Sequence, residues 1–118
     1  HEWEALCYAK YNLKANNLTP VNLLHMDWQY PALKAQTFDF IWGADVLYES
    51  RFFFPLFQLF RRVLAPGGKI WLSAPDRKVT HPFWDLLKKA DWKLRIVRRR
   101  QQVQDREQQI YLWELKKD

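Results

Sequence analysis

Apolar and polar positions along this chain change period several times, and each change predicts an element. Leu6, Ala9 and Leu13 recur at helical spacing, with Glu2 and Glu4 near the positive end of the helix dipole and Lys10 and Lys14 toward the other. That predicts a helix over residues 2–15, stopped by Asn16 and Asn17, which tolerate left-handed backbone. Val21 to Met26 (VNLLHM), introduced by Pro20, is a short apolar run that predicts a strand ending at Asp27 and Trp28. Residues 29–36, with Pro31, form a loop or a single turn. A second apolar run, Phe38 to Trp42, stops at Gly43, and Asp45 and Tyr48 follow at once. This is the pattern of a buried strand whose carboxyl end opens into a site.

From Arg51 to Leu64 the period returns to that of a helix. Phe53, Leu56, Phe57, Phe60, Val63 and Leu64 share one face, and Gln58, Arg61 and Arg62 lie on the other. Pro55 is tolerated in the first turn, where its missing N–H removes no hydrogen bond. Ala65-Pro66-Gly67-Gly68 ends the helix, and Lys69 to Ala74 predicts the next strand, so strand, helix and strand make a crossover between parallel strands. Pro75 to Thr80 is a polar loop, and His81 to Ala90 a helix with Pro82 in its first turn. Trp92 to Arg100 alternates as a strand, and Gln101 to Gln108 predicts an exposed loop. Ile110 to Leu115 is a last strand placed to pair antiparallel with its predecessor. The expected class is α/β, without internal repeats, low-complexity tracts or a domain boundary.

Composition adds limits. The 118 residues suffice for one small domain, and 48% hydrophobic residues with 17% aromatics, including 7 Trp, can build a core. Lys and Arg number 19 against 13 acidic residues; the net +6 serves solubility and also permits anionic partners, nucleic acid among them. A single cysteine, Cys7, closes no disulfide within the chain, which fits a reducing compartment and makes cytoplasm the expected location. No membrane association is expected, because even Arg51 to Leu64 is interrupted by Pro55, Gln58, Arg61 and Arg62. His25 and His81 lack partners at metal-ligand spacing, so no zinc site is expected. The chain starts at His1 without a basic-then-apolar signal sequence, as expected of a piece of a longer protein.

The order of helix, strand ending in Asp27-Trp28, strand ending in GADVLY, aromatic helix, LAPGG turn, strand, helix and terminal hairpin resembles the second half of a class I, Rossmann-like methyltransferase. More narrowly, DW followed by FDFIWGADVLY is similar to the protein-lysine methyltransferases of the methyltransferase-like family sixteen, whose Asp-x-x-Tyr hallmark would be Asp45 to Tyr48. The resemblance implies S-adenosylmethionine as cofactor and a lysine on a protein as acceptor. Asp27 and Trp28 would serve adenine, and Gly43 and Ala44 would lie where backbone approaches the cofactor. Asp45 would orient the target amine and Tyr48 line its channel. The resemblance also implies a glycine-rich loop and two earlier strands that this sequence lacks: its 3 glycines, Gly43, Gly67 and Gly68, form no such loop. In the family's sheet those strands lie between the third and the fourth, so Val21 to Met26 would have no neighbour.

Each candidate also has a plainer role. Asp45 could cap the following helix and Tyr48 stand at an amphipathic rim. Asp27 and Trp28 could be a turn residue and a core anchor, and Gly43 could relieve crowding. Pro75, Asp76 and Arg77 could contact substrate or form a solvated loop, and Arg98 to Arg100 could grip phosphate or protect an edge strand. The Phe52 to Phe60 cluster reads as core. A small-molecule or RNA acceptor, and a non-catalytic partner-binding module, stay open as alternatives.

Overall fold

Residues 3–18, 20–75, 77–103 and 106–117 are described by the computed structural model, so Glu2 and Asp76 lie outside the described residues. The chain divides into two units, His1–Ala32 and Leu33–Asp118, at a point that no shift of composition marks.

The first unit holds one helix, α1 (Trp3–Ala15), which buries none of its residues. Its end is fastened by Asn16, whose side-chain amide donates to the Asn12 carbonyl at 2.8 Å, and Asn17 has φ 54°. The strand expected over Val21 to Met26 does not form: these residues have no regular structure, and Val21, Leu23 and Leu24 are exposed. A strand is stabilised by ladder hydrogen bonds to a neighbour, and none of the sheet's pairings reaches this run.

The second unit is a four-stranded sheet with helices α2 (Phe53–Val63) and α3 (His81–Lys89) on one face. Its strands, β1 (Phe38–Ala44), β2 (Leu64–Pro75), β3 (Trp92–Val103) and β4 (Arg106–Lys117), lie in the order β1-β2-β4-β3. β1 and β2 are parallel, as the crossover through α2 requires, and β4 runs antiparallel to both β2 and β3. The LAPGG segment is a bulge: Phe38 pairs with Leu64, but Phe40 already pairs with Lys69, and Gly67 takes φ 75° there. The expected loop over 101–108 is largely strand, because backbone pairing in a hairpin is indifferent to side-chain polarity. Arg100, Gln102, Glu107 and Gln109 simply face solvent.

α2 buries the face that its apolar spacing predicted, Phe53, Leu56, Phe57, Phe60 and Val63, with Leu59 besides. Phe83, Trp84 and Leu87 of α3 meet the same sheet face, where Ile70, Leu72 and Leu115 are almost fully buried. Each such side chain contributes about 1.5–3 kcal/mol of burial. The opposite face carries no helix of this unit, and Phe40, Trp42 and Trp71 are exposed on it. β1 is the sheet's end strand, not the buried strand its apolar run suggested, and none of its residues is fully buried.

Candidate functional site

Parallel pairing brings the carboxyl ends of β1 and β2 side by side, with Ala44 opposite Ser73. The chain leaves β1 through Asp45, whose N–H donates to the Ser73 carbonyl at 2.7 Å and whose backbone is left-handed, φ 51°. A single Asp tolerates that conformation better than most residues. The chain leaving β2 returns Arg77 to the same corner, where its Nη1 donates to Asp45 Oδ1 at 2.8 Å and its Nη2 to Oδ2 at 3.4 Å. Both side chains are half exposed, so the pair contributes only about 0.2–1 kcal/mol, and a competing cation can displace Arg77 cheaply.

The capping role for Asp45 is not what the structure shows. Glu49 is the residue preceding the Ser50–Phe52 3-10 turn, and neither that turn nor α2 has a side-chain cap. Leu47, 1% exposed, pins the loop into the core between Asp45 and Tyr48. Tyr48 is exposed and meets Phe52 edge-on at 6.1 Å. The corner is a carboxylate with a loosely held guanidinium, beside an exposed tyrosine on the same short loop. It is suited to holding a cationic group at the end of two parallel strands.

Gly43 precedes this corner by two residues. A Cβ there would meet Leu72 Cδ2 at 3.3 Å and both Val46 methyls at 3.4 Å, so the missing side chain makes room for packing. Ala44 is exposed on its strand end. In the first unit, Asp27 Oδ1 accepts the Gln29 N–H at 2.8 Å and the Asp27 carbonyl accepts the Tyr30 N–H at 3.1 Å. Asp27 is thus an exposed turn residue, and Trp28 after it is half buried. Arg77 is the member of the Asp45 corner whose partner the sequence left unread. Its signal is the crossover itself: when β1 and β2 are parallel neighbours, the residues just after β2 are the ones that reach the end of β1.

No family model matches the sequence, and no curated protein matches it. Solved structures do. A precorrin-6y C5,15-methyltransferase from Geobacter metallireducens superposes on the whole chain with a TM-score of 0.74 at 14% identity. A SAM-dependent methyltransferase from Aquifex aeolicus covers 97% of the chain with a TM-score of 0.65 at 18% identity. A precorrin 8w decarboxylase from Methanobacterium thermoautotrophicum covers 96% with 0.61 at 14%. The chain spans 64% of the length of each of these proteins. At such identities the likeness establishes the fold: a Rossmann-like α/β sheet with flanking helices and a C-terminal antiparallel hairpin, present here over part of its extent.

Proposed function

We propose that this chain is the C-terminal portion, residues 1–118, of a single S-adenosylmethionine-dependent methyltransferase domain, and that the acceptor is a lysine amine on a protein in the cytoplasm. The observation that carries the reading is the Asp45 corner: an exposed carboxylate at the end of β1, paired with a half-exposed Arg77, with Tyr48 exposed on the same loop.

In the first unit, the exposed Asp27 carboxylate would accept from an adenine amine, with Trp28 next in the chain for the base. In the second unit, taken by itself, Gly43 and Ala44 would offer backbone to the cofactor. No glycine-rich loop that would hold the methionine end occurs in the sequence. When bound, S-adenosylmethionine supplies an electrophilic methyl group. The lysine nitrogen would displace Arg77 from Asp45, whose carboxylate would accept its hydrogen bond and fix its direction, and Tyr48 would flank the amine and exclude water. Positioning of this kind is the main requirement of an in-line displacement.

A second reading, a small-molecule acceptor, is favoured by the names of two of the structural neighbours, which are precorrin enzymes. The full-length protein with methyl-labelled cofactor and a cell lysate separates them. Label on lysine of a protein supports the first reading and label on a small molecule the second. Absence of cofactor binding in calorimetry would remove both.

A further inference from the structure

A cavity of about 400 Å³ lies between α3 and the β3-β4 hairpin, with Pro75 and Thr80 also in its lining. Its wall is aromatic. Trp84 of α3 stacks on Trp113 of β4 with ring centres 3.8 Å apart and planes at 13°, and Tyr111 continues the stack at 6.4 Å and 28°. Trp84 is held in place by its Nε1, which donates to Thr80 Oγ1 at 3.1 Å, while Thr80 donates to the Arg77 carbonyl at 2.8 Å. Lys88 and Arg98 bring two cations to the lining and Asp85 one acid, beside His81, Thr80, Pro75 and Ile96. Asp85 reaches Lys88 only at 3.8 Å between two exposed side chains, which leaves most of that charge available. The Arg98 guanidinium lies 5.7 Å over the Tyr111 ring. Arg100 extends the same strand face, offset by Glu107 at 3.5 Å.

We infer that this groove binds a nucleotide: a planar base against the Tyr111 ring, and its phosphate between Lys88 and Arg98. An inorganic anion would gain nothing from three stacked rings, and an apolar ligand would gain nothing from the cations. A base with its sugar and phosphate uses both, and the volume lies in the range of small-ligand sites. Stacking on aromatic rings beside arginine is the general mode of single-strand recognition, and the net +6 charge favours a phosphate-bearing ligand. The ligand can be a free nucleotide or one nucleotide of a single strand. The inference is independent of the methyl-transfer reading, because none of the residues assigned to cofactor or acceptor lines the groove.

The test is calorimetry on the full-length protein with three probes: inorganic phosphate, uridine 5′-monophosphate and a single-stranded octauridylate. Uridine avoids the adenine chemistry assigned to Asp27, so D27A is expected to leave binding unchanged. We expect uridine 5′-monophosphate to bind at least about ten-fold tighter than phosphate, and R98Q and K88Q each to weaken it about five-fold. Both substitutions are at exposed positions, and far-UV circular dichroism checks that folding is kept. An octamer that binds much more tightly, with a steep salt dependence, identifies a strand as the source; equal affinity identifies the free nucleotide. Equal binding of phosphate and nucleotide, no binding of either uridine probe, or wild-type affinity in both R98Q and K88Q would overturn the inference.

Discussion

Asp45 holds a left-handed backbone, φ 51°, that costs most residues about 1–2 kcal/mol and that Asn and Asp tolerate. Charge and conformation can therefore be separated at one position. Asp45→Asn is expected to unfold within about 0.5 kcal/mol of the parent, whereas Asp45→Ala should lose about 1 kcal/mol. If Asp45 orients the amine, Asp45→Asn in the full-length enzyme should lower turnover and leave cofactor affinity unchanged, and equal losses in both would reassign it to pocket support. The glycines also rank by geometry. A Cβ on Gly68 would stand 2.9 Å from the Ala65 carbonyl oxygen and 3.0 Å from that of Asp39, both backbone, whereas at Gly43 the neighbours are side-chain methyls at 3.3–3.4 Å. Urea titration should show Gly68→Ala losing about 1–3 kcal/mol and Gly43→Ala less than about 1.

Among the elements, α2 shows its physics most directly: the face predicted from periodicity is the face buried, whereas Phe54, expected in the core with its aromatic neighbours, lies off that face and is exposed. Leu56→Ala should cost about 2–5 kcal/mol and Phe54→Ala almost nothing, in thermal unfolding of the two variants. The β2-β4 pair carries a cross-strand bond on the sheet face opposite α2 and α3, where Trp71 Nε1 donates to Glu114 Oε2 at 3.1 Å. That hydrogen bond, assisted by the charges of Lys116 and Lys69, holds the Glu114 carboxyl below its ordinary value. A folded-state pKa that is depressed contributes stability above the unfolded value and loses it as pH falls through the folded one. Carboxyl titration by NMR should show Glu114 moving upward in Trp71→Phe.

At the scale of the whole molecule, β1 stands at the end of the sheet with one side of its ladder unpaired among the described residues, and its Phe40 and Trp42 are exposed. Exposed hydrophobic edges template association. The chain is expected to self-associate with concentration in sedimentation, and Trp42→Lys to reduce this without loss of secondary structure. The sequence by itself determined the order and type of α1, β1, α2, β2, α3 and the hairpin, because periodicity, proline position and the glycine turn act over a few neighbouring residues. It also determined the class of the fold and the loop that carries Asp45 and Tyr48. It misjudged Val21 to Met26, the burial of β1 and residues 101–108, because a strand exists and is covered only through partners, and whether these are present is not a local property. The Asp45–Arg77 pair and the aromatic groove were decided by tertiary structure alone: both join residues far apart in the chain that meet only once β1, β2 and the hairpin have taken their places in one sheet.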